Sequence, residues 1–170
     1  MLNDIILRSK RAQIPAHKEP TGLVSQGGKT PDGFTMTPWA RGKPLAWDVT
    51  VSDIYAESHL ISTSAEAGAA AKRAAAIKTI KYPDITSTHI FHPTSIETAG
   101  SWDVQAVELM EEIGRRIIAA TNDQNETMYL FQKISMAIQR GQSRGAMFCH
   151  FFTHSITTST KNAVAVIQFL

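Results

Sequence analysis

The chain has one cysteine, Cys149, so no disulfide can form within it, and cysteine usage says little about compartment. It has no apolar run close to the ~20 residues that a membrane-spanning helix needs. It has little net charge, only +2 at pH 7, so bulk charge does not mark a nucleic-acid binder. Any such activity must rest on a local basic patch. What is present is ordinary globular material. The 170 residues, 43% hydrophobic and 19% charged, fit one folded domain and exclude a disordered tail.

The pattern of periodicities predicts an α/β fold. Met1 to Lys18 is amphipathic and mildly basic, like a transit peptide. Asp4 and the lack of a cleavage-like region favour a first domain helix over Leu2–Ala12, ended by Pro15. His17–Val24 reads as a weak edge strand, because Pro20 removes a ladder donor. Gly33–Thr37 and Pro44–Val51 read as a hairpin, and Ser52–Leu60 as irregular chain or a lid. Ala65–Tyr82 is rich in alanine, the best helix former. Thr63 and Glu66 have capping-box spacing at its start.

His89–Glu97 predicts a strand interrupted by Pro93. Ser101 is the expected cap of a helix over Trp102–Ala120, with Val107, Met110, Ile113 and Ile117 inward. Asp123 and Glu126 have capping-box spacing for a second helix to about Arg140. Composition changes after Gly141, which sets expected boundaries of 1–140 for the domain and 141–170 for a divergent tail. His150 and His154 have the spacing of a zinc pair, but two histidines and one cysteine do not close a tetrahedral site.

The informative stretch is Thr30–Thr50. Asp32 follows the turn-forming Pro31, and Asp48 sits in mid-strand. In Leu45–Val51 the large apolar side chains alternate with Ala46, Asp48 and Thr50, so Asp48 points away from the apolar face. Aspartate is a poor strand former and costly to bury unpaired. One reading is an edge strand whose polar face meets water. The other is chemical. Asp32 and Asp48 belong near one end of the hairpin, and Lys78 and Lys81 share a face of the following helix, with Tyr82 one turn on from Lys78. Two carboxylates suit Mg²⁺, which prefers oxygen ligands and keeps several waters. A lysine beside them suits a phosphate or an attacking water. Arg41, Lys43, Lys72 and Arg73 are the candidate contacts to a nucleic-acid backbone.

These residues, with Leu2-Asn3-Asp4, Ile14-Pro15-Ala16, Lys18-Glu19-Pro20-Thr21-Gly22-Leu23, Pro31-Asp32-Gly33, Trp47-Asp48-Val49-Thr50-Val51 and Lys78-x-x-Lys81-Tyr82, resemble a known family. It is the restriction-like endonuclease domain at the C-terminal end of some non-LTR retrotransposon polyproteins, in the PD-(D/E)XK superfamily. The resemblance covers roughly residues 2–140. It implies an αβββαβ core with additional C-terminal helices. It also implies Mg²⁺-dependent nicking of target DNA, with Mn²⁺ as substitute, to prime reverse transcription. Asp32 and Asp48 match the family's acids, and Lys78, Lys81 and Tyr82 match its K-x-x-K-Y motif. Glu19 and Asp4 match acidic positions that could complete a metal shell or a hydrogen-bond network. Thr50 stands where the superfamily's usual lysine would be, and Thr30 where a base is expected before Pro31. The resemblance further implies a nuclear location and an upstream reverse transcriptase domain, which this chain does not contain. Two alternatives stay open: a catalytically dead remnant that binds DNA, and a junction or repair nuclease of the same superfamily.

Overall fold

The computed structural model describes residues 12–18, 30–56, 63–64 and 66–145. The expected first helix, apart from Ala12, and residues 146–170 lie outside them.

Alternation along the strands builds a sheet with two unlike faces. In β3 (Leu45–Ser52), Leu45, Trp47 and Val49 take one face, and Ala46, Asp48 and Thr50 take the other. β2 (Gly33–Thr35) pairs antiparallel with β3, Gly33 opposite Trp47 and Phe34 opposite Ala46. Gly33 is needed there, since a Cβ would lie 2.7 Å from Trp47 Cε2. β1 (Ala16–Lys18) pairs antiparallel with β2. The hairpin between β2 and β3 reverses at Arg41 (φ 50°) and Gly42 (φ 74°), the two positive angles of a primed turn.

β4 (Ile90–Glu97) runs parallel to β3 in full register, from Leu45 opposite Ile90 to Ser52 opposite Glu97. Parallel neighbours need a crossover, and α1 (Ala69–Lys81) supplies it, followed by one turn of helix, α2 (Ile85–Thr88). The strand order is β1-β2-β3-β4. Pro93 therefore sits on an edge strand among the described residues, where a missing N–H does no harm to the ladder.

α3 (Val104–Thr121) and α4 (Glu126–Gly145) cover the large apolar face. Leu45, Trp47 and Ile96 meet Leu109, Met110, Ile113 and Ile117 of α3 and Leu130, Ile134 and Ile138 of α4. The two helices approach closely where Gly114 faces Thr127. α1 covers the other face of β3 and β4, brought near by Ala70, Ala71 and Ala75. No helix among the described residues is long and apolar enough to cross a membrane.

Three helix boundaries differ from expectation. α1 starts at Ala69, and its cap residue is Gly68 at φ 87°, without the Thr63–Glu66 box. α3 starts at Val104, capped by Asp103, whose Oδ2 accepts from Gln105 N at 3.1 Å. Ser101 cannot be that cap because it is still tied to the sheet: its carbonyl accepts from Glu97 N at 2.7 Å, and Trp102 bridges Ile96. α4 continues to Gly145, past the expected end near Arg140.

Candidate active site

Continuing the β2–β3 register by one pair sets Asp32 across from Asp48. Asp32 secures the hairpin there with its side chain, Oδ2 accepting from Val49 N at 2.7 Å. Asp48 does not meet water. It is 4% exposed, on a central strand, beneath the C-terminal end of α1. Of the two sequence readings for this strand, the water-facing edge is the one the structure overturns, because α1 lies over the polar face.

Both oxygens of Asp48 are engaged by α1 and the residue after it. Lys78 Nζ lies 2.5 Å from Oδ1, and Tyr82 Oη donates to Oδ2 at 2.7 Å. Lys81 Nζ reaches Oδ2 at 3.9 Å and donates to Tyr82 Oη at 2.6 Å. The helix makes this possible: positions 78 and 81 share one face, and residue 82 follows at its end. Tyr82 is fully buried against Phe91, 5.1 Å between ring centroids, in the space that the small Ala46 leaves open. Its hydroxyl also lies 3.0 Å from the Thr30 carbonyl. Burial holds the Tyr82 phenol well above its ordinary pKa, and the hydrogen bond to Asp48 and the charges of Asp48 and Asp32 add to this. Tyr82 is therefore a fixed neutral hydroxyl that orients the Asp48 carboxylate and Lys81.

The residue that holds this arrangement from its far end was missed in the sequence. Glu97, at the end of β4, is 2% exposed. Its Oε2 accepts from Gly68 N at 3.0 Å, and its Oε1 from Ala70 N at 2.9 Å and Ala71 N at 3.4 Å. A carboxylate there satisfies the free N–H groups of the helix start and faces the positive end of its dipole. α1 is thus pinned at both ends by buried acids from adjacent parallel strands, Glu97 at its start and Asp48 at its end. No local signal marked it: the sequence offers Thr63 and Glu66 as the cap, and the carboxylate that takes the role lies 29 residues from Gly68.

No family model matches the chain, and no curated protein matches it either. The site has to be read from its own geometry.

The structure brings Asp32, Asp48, Lys78, Lys81 and Tyr82 together and spreads the four candidate backbone contacts apart. Arg41 is exposed at the hairpin tip, and Lys43 Nζ donates to the Thr86 carbonyl of α2 at 3.1 Å. That end of the hairpin is fixed to α3 by Arg116, which stacks 3.6 Å from the Trp39 ring centroid and donates to the Trp39 carbonyl at 2.9 Å. Lys72 and Arg73 are exposed on the first turn of α1, near the opposite end of the sheet. Asp4 and Glu19 lie outside the described residues. Among the described residues no group of three or more His, Cys, Asp or Glu side chains gathers as a metal cage. The pair Asp32 and Asp48 remains, and two carboxylates completed by water are a sufficient protein share for Mg²⁺, whereas Zn²⁺ would want nitrogen or sulfur.

Proposed function

We propose that this chain is a Mg²⁺-dependent DNA endonuclease domain that nicks its target. The observation that carries the reading is the convergence on one buried strand carboxylate, Asp48, of two helix lysines and a tyrosine, with a second aspartate directly across the hairpin. The described element order, three strands, a crossover helix and a fourth strand parallel to the third, agrees with the βββαβ part of the core that the resemblance implies.

Asp32 and Asp48 would hold the metal, with Mn²⁺ as a substitute. Bound there, the ion would lower the pKa of a water and offset charge building on the phosphate. The chain's own groups do the rest. Tyr82 and Lys78 fix the direction in which Asp48 presents its oxygens. Lys78 and Lys81 carry the positive charge that a phosphodiester needs as it gains negative charge in the transition state. The source of the domain, a retrotransposon that uses the nick to prime reverse transcription in the nucleus, is part of the same proposal and rests on the resemblance alone.

A second reading, a chain that binds DNA without cutting it, draws on the same contacts: both Asp48 oxygens are already taken by Lys78 and Tyr82. One experiment separates them. Supercoiled plasmid is incubated with wild type or Asp48→Asn, with Mg²⁺ or Mn²⁺. Metal-dependent nicking lost in the variant supports the nuclease. A folded wild type that binds DNA and does not nick it supports the second reading. Melting gives a readout independent of turnover: Mg²⁺ should raise the Tm of wild type and not that of Asp48→Asn, because only the folded site binds it.

A further inference from the structure

The register aligns His17, Phe34, Ala46 and Phe91 in one row across all four strands, on the face that carries Asp48. The next row holds Asp32, Asp48 and Pro93. α1 and Tyr82 cover the Ala46–Phe91 end of the aromatic row. The His17–Phe34 end lies beyond the helix, over β1 and β2. There the His17 ring stacks on Phe34, 6.0 Å between centroids and 15° from parallel, and His89 meets Phe34 edge-on at 6.0 Å and 81°. Both histidines are held in place: His17 Nδ1 lies 2.8 Å from the Lys18 carbonyl, and His89 Nδ1 lies 2.8 Å from Thr88 Oγ1. The outermost ring, His17, is exposed.

We propose that His17 and Phe34 form a shelf on which an unpaired base stacks next to the phosphate held at Asp32 and Asp48, so that the preferred substrate is DNA single-stranded or branched at the cut. The proposal rests on the nuclease reading of the acid–lysine site. Phe34 is two residues from Asp32 on the same strand face, a spacing of ~7 Å, so a phosphate at the acids brings a neighbouring base over the rings. A base inside a duplex is already stacked on both sides and cannot offer a face to the shelf. A splayed or unpaired base can. Charge agrees with this occupant: Lys78 and Lys81 lie at Asp48, beyond Asp32 on the same face, so the aromatic surface has cations on its α1 side that suit a polyanion. Burial lowers the His89 pKa, so its edge contact with Phe34 is that of a neutral ring at physiological pH.

The test uses oligonucleotides of one sequence, single-stranded and duplex, each with 2-aminopurine in place of one adenine, and wild type, His17→Ala and Phe34→Leu proteins. His17→Ala removes an exposed ring and leaves the fold alone, and Phe34→Leu keeps apolar volume while removing the aromatic face. Wild type should bind the single strand more tightly than the duplex and quench 2-aminopurine. Each variant should lose about tenfold in single-strand affinity, with duplex affinity and Tm unchanged and the quenching reduced. Equal affinity of wild type for the two forms, or variants that bind and quench as wild type does, would overturn the shelf. If that happens while wild type still nicks plasmid with Mg²⁺, the shelf alone fails. If the folded wild type binds neither form and does not nick, the nuclease reading fails and the shelf with it.

Discussion

The two faces of the sheet are built on opposite rules. The α3–α4 face is large, apolar and interdigitated, with Trp47 and Leu45 meeting a continuous row of Leu, Ile and Met. The α1 face is shallow. Its apolar cluster is Ala46, Tyr82 and Ile85, and around it lie Asp48, Thr50, Ser95 and Glu97, all beneath an alanine-rich helix. Alternation in β3 forces this division, since one strand must serve both faces. Stability is concentrated on one side, and the other is free to carry ionised groups as long as each is answered. The faces should therefore respond differently to substitution: the first through volume, the second through hydrogen bonding and charge.

The largest expected effect comes from emptying the apolar face. Trp47→Ala should cost about 3–5 kcal/mol, because it leaves a cavity under β2 that Gly33 cannot fill. Calorimetry should show a Tm lower by roughly 10 °C or more. If Mg²⁺ raises the Tm of wild type as proposed, it should raise that of Trp47→Ala as well. A Trp47→Ala protein that melts normally would mean that the apolar face is not the main source of stability.

On the polar face, Glu97→Ala should cost about 3 kcal/mol, since three helix-start N–H groups lose a charged acceptor in a buried position. Glu97→Gln keeps one oxygen and should lose less. Chemical denaturation of the three proteins checks the order. If Ala and Gln variants lose the same small amount, the helix start finds other partners and the two-ended clamp on α1 is wrong.

Much of the fold could be read from the residues, because the period-two and 3.6-residue patterns are strong in β3, α1, α3 and α4. The hairpin and the pairing of Asp32 with Asp48 followed from the same alternation. The lysine spacing on α1 was equally readable, because i, i+3 positions share a face wherever the helix docks. What could not be read is which side of β3 the helix would cover. A polar face of Asp48 and Thr50 looks solvated until the chain order places β4 parallel to β3 and forces α1 across it. The helix starts were misplaced for a related reason. Local capping rules located Ser101 and the Thr63–Glu66 box, while the actual starts depend on a bridge to β4 and on a carboxylate 29 residues from Gly68. Long-range partners leave no local trace.

Tyr82 offers a sharper contrast within the polar face. Tyr82→Phe keeps the packing on Phe91 and deletes the donor to Asp48, for an expected loss of about 2 kcal/mol at neutral pH. The pH dependence has a definite sign. The folded-state pKa lies above the ordinary value near 10, so the folded protein holds its phenolic proton longer than the unfolded chain does. That contribution is complete below pH ~10 and is lost as pH rises toward the folded value. Wild type should therefore lose stability above pH ~10 more steeply than Tyr82→Phe. Tyr82, fully buried, should resist forming tyrosinate until the protein unfolds. Tyrosinate absorbance against pH, with far-ultraviolet dichroism alongside, reads both events.

The smallest effect has the opposite sign and tests whether polarity on this face is structural at all. Thr50 Oγ1 and, across the strand pair, Ser95 Oγ are buried and have no hydrogen-bond partner among the described residues. A buried hydroxyl left unbonded is destabilising, and Thr50→Val removes it with almost no change of shape. The variant should be more stable by about 1 kcal/mol, a rise of a few degrees in Tm. Thr50 sits two residues from Asp48 on the same strand face, in the position where the resembled superfamily usually has a lysine. If the hydroxyl is a leftover of packing, Thr50→Val gains stability and nicks plasmid as wild type does. If it is kept for chemistry at Asp48, the same gain comes with slower nicking at unchanged DNA affinity. A loss of stability would contradict the geometry itself, because it would require a partner for Thr50 that the described residues do not provide.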